Sequence, residues 1–433
     1  MDQFNVQKSS VLFLQGPLGP FFRELAGAFS QAGYDTHKIN FNGGDRFYAG
    51  ADCVTDYQGK PDDWPTFLQE YLSEHSIGAV FLLGDCRYYH RTAKPVCDRL
   101  GVAFMVFEEG YLRPNTITLE PHGVNALSRL DLSLQRLQQT TVKPVKTPVT
   151  IGNTMLRRGV YASLYYWAAL FSRRQFPHSV HHRASNPVKE GYCWLRGFAR
   201  KWLVKPADYL IKRRLTKTCS QRFFLVPLQV HDDSQKIYHS NFSSVESFIA
   251  EVIDSFKRYA APDQVLCFKH HPMDRGYTHY GRFIREKVKR LGLPDRVVYC
   301  HDVSLPELYR HTAGVVTVNS TVGVSALLHG LPVKVMGRAM YDIQGLTHQG
   351  SLASFWKAPQ PVDRSLFAKF HSLLFEQTQV NASFFRHFDI SCSNALMFFE
   401  KIIRQSVASS AVYSLPSRNA SHPEVKDLPL SAA

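Results

Sequence analysis

Apolar residues in the first 120 positions occur as short uninterrupted runs, and each run stops at a polar loop. Four such runs, 10–16, 36–41, 77–85 and 102–110, have the length and composition of strands that are buried on both faces. Residues 20–33 place apolar side chains at helical spacing and end in a glycine, so they predict a helix. Strands and helices that alternate in this way predict a parallel sheet covered by helices.

The second half of the chain repeats this pattern. Its apolar runs predict five further strands, at 222–230, 264–271, 296–300, 314–319 and 332–337. Helical spacing predicts helices between them, for example at 244–259 and 322–329. A chain of 433 residues is too long for one ordinary core and fits two domains. We therefore predict an α/β protein with two Rossmann-like domains that face one another.

Between the two halves lies a segment, residues 157–217, that we call the basic aromatic segment. It holds fourteen Lys and Arg residues against two acidic ones, and so carries +12 of the formal charge of +15. Three of the five tryptophans, Trp167, Trp194 and Trp202, lie among these basic residues. The charge implies an acidic partner, which could be nucleic acid, an anionic membrane or a phosphorylated substrate, and charge alone does not choose among them.

These features predict four regions along the chain. Residues 1–130 form an N-terminal Rossmann-like domain, 131–220 a basic aromatic helical insertion, and 221–404 a C-terminal Rossmann-like domain. The tail, 405–433, is rich in Ser, Ala and Pro and is predicted to be disordered.

Composition excludes several classes of protein. A hydrophobic fraction of 44% with 20% charged residues fits neither wholesale disorder nor a polytopic membrane protein. The longest apolar candidate, residues 160–171, is too short to span a bilayer. The eight cysteines follow no zinc or disulfide spacing, so we expect reduced, cytosolic thiols. The N-terminus lacks a basic n-region and a long apolar core, which predicts that the protein is not exported.

Polar side chains follow four of the predicted strands, where open α/β sheets bind ligands. The four groups are Glu108, Glu109 and Arg113; Gln229, His231, Asp232 and Asp233; Lys269, His270, His271 and Arg275; and Asn319, Ser320 and Thr321. Each group has an alternative explanation, because acids after strands are often solvated loop residues or helix N-caps. Ser320 or Thr321 could cap the helix at 322–329, a role that is compatible with anion binding at the same helix start.

The adjacent histidines His270 and His271 do not predict a metal site. Neighbouring residues of a strand point to opposite faces, so the two rings cannot bind one ion from the same side. Pro272 ends the strand and favours an extended backbone at His271, which places that imidazole at the rim of the sheet. An imidazole fixed there can donate to a phosphate, and we expect neither a metal nor another cofactor.

Several motifs in the same order resemble the capsule-polysaccharide β-Kdo transferases, in particular the shorter members with a single module. The similarity extends over about residues 10–400. It is carried by "FLQGPLGPFFRELAGAFSQAGYDTHKINFNGGD" (13–45), "EEGYLRPNTITLE" (108–120), Gln-Val-x-x-Asp (229–233), His-Pro (271–272) and "NSTVGVSALLHGLPVKVMG" (319–337). The resemblance implies two Rossmann-like domains in a GT-B-like arrangement, with an N-terminal acceptor side and a C-terminal domain that binds the donor CMP-Kdo.

The implied activity is retaining transfer of Kdo to a phosphatidylglycerol-type lipid, which starts the poly-Kdo linker of capsular polysaccharide. Retention requires a carboxylate nucleophile, for which Asp232 is the first choice and Asp233 the second. Glu109, or its neighbour Glu108, is the candidate general base that deprotonates the acceptor hydroxyl. Longer family members have an acid where this chain has His231, and Asp in place of Glu109, so the division of roles between the two carboxylate pairs stays open.

The resemblance also assigns binding residues on both sides. Those expected to bind the anionic donor are Gln229, Lys269, His271, Asn319, Ser320 and Thr321. Those expected to bind the acceptor or a carboxylate are Arg113, Gly16 and Asn42.

The expected partners are CMP-Kdo, phosphatidylglycerol or its lyso form, and the surface of the inner membrane. A second Kdo transferase and the capsule ABC exporter are further candidates, and no nucleic acid is expected. The basic aromatic segment would dock the enzyme as a cytoplasmic, peripheral protein on the inner leaflet. Two other functions stay open: a nucleic-acid-binding protein, and a non-catalytic scaffold of the capsule export machinery.

Overall fold

A computed structural model describes residues 10–143, 148–180, 187–230 and 242–408. Of these, residues 10–195 and 365–408 form one compact unit, and Arg196–Arg364 form a second. The sequence boundaries placed the C-terminal stretch with the second Rossmann-like domain, whereas the structure packs it with the first. The predicted disordered tail lies outside the described residues except for 405–408, which are helical.

The elements that precede the second unit alternate as the apolar runs predict. In chain order they are β1 (Ser10–Phe13), α1 (Phe21–Gln31), β2 (Thr36–Asn40), α2 (Gly43–Phe47), β3 (Cys53–Asp56), α3 (Trp64–Glu74), β4 (Ile77–Leu83), α4 (Tyr88–Leu100), β5 (Ala103–Glu109), β6 (Thr116–Pro121), α5 (Leu134–Gln139) and α6 (Met155–Phe171). Short 3₁₀ turns at Pro61–Asp63 and Asn125–Leu127 connect some of them.

The boundary between the units falls within helix α7, and the chain returns to the first unit near the start of α14. In order, the remaining elements are α7 (Pro187–Leu203), α8 (Lys205–Arg213), β7 (Phe223–Pro227), α9 (Val245–Tyr259), β8 (Val265–Lys269), α10 (Gly281–Arg290), β9 (Val297–Cys300), α11 (Leu305–Tyr309), β10 (Thr312–Thr317), α12 (Val322–Leu328), β11 (Val333–Val335), α13 (Leu352–Lys357), α14 (Arg364–Thr378), β12 (Gln379–Asn381) and α15 (Phe388–Ala408). A π-helical turn, Arg214–Thr218, extends α8, and a 3₁₀ turn, Pro272–Asp274, follows β8.

Each unit is built on one sheet. The first sheet has the strand order β12-β6-β5-β4-β1-β2-β3, in which β1 to β5 are parallel, β6 pairs antiparallel with β5, and β12 pairs antiparallel with β6. The second has the order β11-β10-β7-β8-β9 and is entirely parallel. The predicted α/β class with two Rossmann-like sheets is confirmed.

Each sheet contains five parallel strands, β1 to β5 in the first and β7 to β11 in the second, and the chain connects the five in the same order in both. In each, the chain starts at the central strand, adds two strands on one side, and then crosses to add two on the other. Strand order therefore reverses between β1 and β4 in the first sheet, and between β7 and β10 in the second. Ligands of open α/β sheets bind outside the carboxyl ends of the strands at this point.

Helices bury both faces of the first sheet. One face packs under α1 and α15 through aromatic side chains such as Phe13, Phe29 and Phe399, whose rings meet at 5.4–5.8 Å between centroids. The opposite face packs against α3 and α4 around Trp64 and Tyr89, which are fully buried. In the second unit, α9 and α13 cover the sheet in a separate core. Two-sided burial explains why the strands are continuous apolar runs.

Most of the described part of the basic aromatic segment is helical, as predicted, and α6 packs closely on α2. A Cβ on Gly43 would lie 2.4 Å from the Ser172 Cβ, and one on Gly44 would lie 2.7 Å from the Tyr165 ring, so the contact requires glycine at both positions. Across the described ranges, no helix is both long enough and apolar enough to cross a membrane.

Candidate functional site

The carboxyl edge of the first sheet collects acidic and basic side chains from three neighbouring strands. Strands β5, β4 and β1 lie side by side, and the residues that end or follow them are Glu108 and Glu109, Asp85 to Arg87, and Gln15 with Gly16. The sequence-predicted residues Glu108, Glu109 and Gly16 therefore share one edge. A hydrogen bond from Arg87 Nη1 to the Gly16 carbonyl oxygen, 3.4 Å long, connects the loops that follow β4 and β1.

Glu108 is the acid of this edge whose proton is held near neutral pH. Burial, opposed in part by a hydrogen bond from the Glu109 backbone N–H, raises the pKa of Glu108 to about 7. That N–H donates to Glu108 Oε1 at 2.9 Å. The negative charges of Glu109 and Asp85 push the pKa further upward.

Glu109 behaves in the opposite way, although it is the next residue. Burial acts to raise its pKa, but the charges of Arg158 and Arg113 and a hydrogen bond from Arg158 outweigh burial and lower it. Arg158, from the first turn of α6, forms an ion pair with Glu109 and also lies 4.8 Å from the centroid of the Phe385 ring. Two adjacent carboxylates thus have pKa values shifted in opposite directions, an arrangement that is common where acid and base roles are divided.

Arg113 lies at the same loop but is exposed. Its Nε donates to the Gly110 carbonyl oxygen at 3.1 Å, and its charge lowers the pKa of Glu108 and of Glu109. Arg113 therefore adds positive potential at the edge without forming an ion pair with either acid among the described residues.

Asn42 lies in the loop that follows β2, where it is the N-cap of α2. Its side-chain oxygen accepts from the N–H groups of Gly44 and Asp45 at 2.8 and 3.0 Å, and its amide nitrogen donates to Asp45 and to the Tyr165 hydroxyl. The Tyr165 hydroxyl donates to Asp45 at 2.9 Å. Asn42 is thus fully engaged in a buried structural network, and a direct contact with the acceptor stays a prediction.

In the second unit, the predicted donor residues gather at the strand reversal. Gln229, after β7, donates from its side-chain nitrogen to the side-chain oxygen of Asn319, after β10, at 2.9 Å. This hydrogen bond bridges the two central strands at their carboxyl ends. It corresponds in position to the bond between Arg87 and Gly16 in the first unit.

The start of α12 is defined by Ser320 and its neighbours. Ser320 Oγ accepts from the Val322 N–H at 3.2 Å, so Ser320 provides the side-chain cap, while Thr321 makes no side-chain cap bond. The Ser320 carbonyl oxygen accepts from the Tyr341 hydroxyl at 2.5 Å. A Cβ on Gly323 would lie 2.3 Å from that hydroxyl, which explains the glycine in the first turn.

The strand β8 ends with one buried and one partly exposed histidine. The buried His270 shares a 2.7 Å hydrogen bond with the Tyr299 hydroxyl, and burial lowers its pKa to about 4. Nδ1 of His271 accepts from the Met273 N–H at 3.2 Å, so a neutral His271 ring carries its proton on Nε2. Lys269 is buried and donates to the His301 carbonyl oxygen at 3.2 Å, and burial lowers its pKa.

The predicted nucleophiles Asp232 and Asp233, like His231, lie outside the described residues, because the structure describes this loop only up to residue 230. No three His, Cys, Asp or Glu side chains in the described part of the chain come together in a way that could hold a metal ion.

Two functional candidates of the first unit were not identified from sequence. Arg158 lies 49 positions from Glu109, so no local pattern connects them. Arg87 follows the Gly-Asp-Cys stretch at 84–86, to which the sequence analysis assigns no role. The reversal of strand order, which marks that loop as a ligand-binding position, becomes visible only once the sheet is assembled.

Comparisons with known proteins identify the family of this chain. The family "Capsule polysaccharide biosynthesis protein" matches residues 78–385. The chain is 41% identical over 374 residues to the capsule polysaccharide export protein KpsS of Escherichia coli, covering 86% of this chain and 96% of that protein. It is 40% identical over 384 residues to the capsule polysaccharide modification protein LipB of Neisseria meningitidis serogroup A / serotype 4A, covering 87% of this chain and 91% of that protein.

A solved structure of KpsC from Thermosulfurimonas dismutans, described as a beta Kdo 2,7 transferase, aligns over 91% of this chain and 99% of its own, with 14% identity and a TM-score of 0.43. The family match covers most of the chain, and the two curated relatives are matched over nearly their whole length. The protein is therefore a member of the capsule polysaccharide biosynthesis protein family.

Proposed function

We propose that this protein is a retaining β-Kdo glycosyltransferase that transfers Kdo from CMP-Kdo to a phosphatidylglycerol-type lipid and so starts the poly-Kdo linker of capsular polysaccharide. The observation that carries the proposal is the pair of adjacent acids, Glu108 and Glu109, with oppositely shifted pKa values at the carboxyl edge of a Rossmann-like sheet. Membership of the capsule family and the sequence resemblance described above supply the substrate classes.

The donor would bind in the second unit. CMP-Kdo carries a phosphodiester and a carboxylate, so its site needs hydrogen-bond donors and cations. Gln229 and Asn319 offer amide groups at the strand reversal, and the Nε2–H of His271 is oriented by the bond that Nδ1 accepts. His271 would then donate to the departing phosphate and offset its charge. Lys269 would contribute positive potential from a buried position rather than a direct contact.

Retention of configuration requires two displacements. In the first, a carboxylate attacks the anomeric carbon, the bond to CMP breaks, and CMP leaves with the electron pair. In the second, the acceptor hydroxyl loses its proton to a base and displaces that carboxylate. Asp232, or else Asp233, is the proposed nucleophile, because both follow Gln229 after a central strand.

Electrostatics favours Glu108 as the base, with Glu109 in second place, which reverses the order of preference from sequence. A pKa of about 7 leaves a useful fraction of Glu108 ionised at neutral pH and lets it keep the proton that it accepts. Glu109 is a weaker base because Arg158 stabilises its charged form. We propose that the ion pair between Glu109 and Arg158 fixes α6 against the carboxyl end of β5, and that the charge of Glu109 helps to keep the pKa of Glu108 raised.

The basic aromatic segment would dock the protein on the cytoplasmic face of the inner membrane. Helix α6 turns Tyr165 and Tyr166 inward and exposes an apolar stripe on the opposite side. The members of the stripe are Leu156, Val160, Leu164, Trp167 and Phe171, with the two end residues 81% and 79% exposed. Arg173 and Arg174 follow directly and are exposed, which suits an anionic headgroup layer.

Other residues of the basic aromatic segment make contacts within the protein and are not available to bind a membrane. Arg196 and Arg200 donate to backbone carbonyls of residues 275–278, and Lys212 pairs with Glu307. Asp208 accepts from the N–H groups of His301 and Asp302 at 2.9 and 2.7 Å. Membrane attraction would therefore come from the remaining exposed cations, such as Arg173, Arg174, Arg213 and Lys217.

The first experiment tests the reaction itself. Purified protein is incubated with CMP-Kdo and phosphatidylglycerol, in parallel with the Asp232→Asn variant, and products are identified by mass spectrometry. We expect a lipid heavier by one or more Kdo residues, formed at an undiminished rate in EDTA, and no product with Asp232→Asn. A scaffold of the export machinery would give no product with any lipid, and full activity of the variant would move the nucleophile to Asp233.

The second prediction separates the two glutamates. Glu108→Gln should lower kcat by about a hundredfold or more, the usual cost of losing a general base. In Glu109→Gln the charge that raises the pKa of Glu108 is removed, so the rise of kcat with pH, centred near 7 in the native enzyme, should move to lower pH. Loss of activity in Glu109→Gln with no displacement of the pH profile, combined with high activity of Glu108→Gln, would restore Glu109 as the base.

The third prediction concerns the apolar stripe. Trp167→Ser combined with Phe171→Ser should reduce sedimentation with phosphatidylglycerol vesicles by about tenfold or more at physiological salt, because aromatic side chains prefer the headgroup boundary. Turnover of a short-chain, water-soluble acceptor should survive, since Arg158 and Tyr165 are untouched. The matched control is Met397→Ser, which changes an exposed apolar residue on α15. Unchanged vesicle binding of the double variant would refute docking by this face.

A further inference from the structure

Arg87 occupies the position in the first unit where open α/β sheets bind ligands. It directly precedes α4 and lies in the loop after β4, opposite the loop after β1 where strand order reverses. The roles proposed above for Glu108, Glu109 and Arg158 leave this position unused. In the second unit the equivalent position is the loop after β10, which holds Asn319 and Ser320, two residues that we assign to donor binding.

The guanidinium of Arg87 is only partly satisfied. Among the described residues its one hydrogen bond goes to the Gly16 carbonyl oxygen at 3.4 Å, and no carboxylate comes within ion-pair distance. Burial lowers the pKa of Arg87, while Tyr165, Asp45 and Glu108 act on it only through longer-range charge interactions. A desolvated guanidinium without an acidic partner is costly unless an anion completes the site.

Besides Glu108, two acids lie near Arg87, and both already accept from other donors: Asp85, in the same loop, accepts from the Val124 N–H at 2.9 Å, and Asp45 lies in the first turn of α2. The Asp45 carboxylate accepts from the Gln15 and Asn42 side chains, the Phe41 N–H and the Tyr165 hydroxyl, at 2.9–3.2 Å. Lys38 is a second, buried cation near this position, and in the described part of the chain its Nζ donates to the carbonyl oxygens of Leu14 and Ile39. Burial lowers the pKa of Lys38 to about 8; the charge of Asp45 opposes this change and the charge of Arg87 adds to it. Among the described residues, neither Arg87 nor Lys38 has a carboxylate within ion-pair distance.

We propose that Arg87 binds the phosphodiester group of the lipid acceptor and that Lys38 adds positive potential from its buried position. A guanidinium donates in parallel to two oxygens of such a group, which fixes its orientation as well as its position. This assignment rests on the proposed function for the identity of the acceptor. The site itself depends on the chemistry of a phosphate oxyanion, which inorganic phosphate shares.

Recognition of the phosphate at this position would serve the chemistry at Glu108. Arg87 and Glu108 follow adjacent strands and interact electrostatically. In phosphatidylglycerol the free hydroxyls of the headgroup lie two or three carbons from the phosphodiester. Anchoring the phosphate at Arg87 would therefore restrict where the hydroxyl can lie relative to the base, and a lipid without phosphate would lose that alignment.

The test compares Arg87→Gln and Arg87→Lys with Arg99→Gln, a control at the exposed far end of the same helix. Binding of glycerophosphoglycerol, without donor, is measured by isothermal titration calorimetry, with inorganic phosphate as competitor. We expect Arg87→Gln to weaken binding about tenfold or more, Arg87→Lys to weaken it less, and Arg99→Gln to leave it unchanged. Competition by inorganic phosphate alone, with no preference for the glycerol ester, would reduce the site to one for free phosphate and overturn the lipid assignment.

Steady-state kinetics with short-chain phosphatidylglycerol gives a second readout. Arg87→Gln should raise KM for the acceptor about tenfold with a small change in kcat, and release of CMP from CMP-Kdo to water should be unaffected. Equal binding and equal KM in Arg87→Gln and native protein would overturn the proposal even if transfer occurs. Failure of transfer in the native protein would reject the proposed function, while the calorimetric comparison would still decide whether Arg87 binds phosphate. Thermal unfolding should be nearly unchanged, because Arg87 makes one long hydrogen bond.

Discussion

The ion pair between Arg158 and Glu109 joins the two features on which the rest of the account depends. It anchors the first turn of α6 to the carboxyl edge of the first sheet, and it holds Glu109 in its charged form. Burial is the main cause that raises the pKa of the neighbouring Glu108 to about 7, and the fixed negative charge of Glu109 adds to it. The ion pair thus connects the helix that carries the exposed apolar stripe to the pair of acids at the sheet edge.

The two sheets share the same strand connections but carry different side chains at their carboxyl edges. Both reverse their strand order beside the central strand, and both connect the facing loops by a hydrogen bond, from Arg87 to Gly16 in one and from Gln229 to Asn319 in the other. The first edge combines acids of perturbed pKa with a poorly satisfied cation, whereas the second offers amides, an oriented imidazole and a capped helix start. Such a difference suits deprotonation of a hydroxyl on one side and binding of an anionic leaving group on the other.

Most of the fold could be predicted from the sequence, because strands buried on two faces leave continuous apolar runs. Every predicted strand is present, and all except β9 end one to three residues before the predicted end. The strands β3, β6 and β12 were missed for physical reasons. β3 is a short, partly exposed edge strand, and β12 is a three-residue strand that pairs with β6 from far along the chain. The same long-range return places α15 on the first sheet, which no local pattern could indicate.

Some residues of the candidate site could also be predicted from the sequence, and others could not. Residues at strand ends, such as Glu108, Gln229 and His271, could be selected from the pattern alone. Their electrostatic partners could not, since Arg158 and Arg87 reach the edge only through tertiary packing. No local pattern indicated that Arg196, Arg200 and Asp208 bond to backbone groups of the second unit. The roles of Asp232 and Asp233 stay predictions from sequence.

Infrared difference spectroscopy of the protonated carboxyl band, followed as a function of pH, measures the central electrostatic claim without any substrate. In the described part of the chain, burial raises the pKa of two carboxyls, those of Glu108 and Glu120, to about 7. The native protein should therefore lose carboxyl absorption around neutral pH, Glu108→Gln and Glu120→Gln should each remove part of that change, and Glu109→Gln should displace the Glu108 contribution to lower pH. An unaltered titration in Glu108→Gln, with no carboxyl lost near neutral pH, would contradict the account.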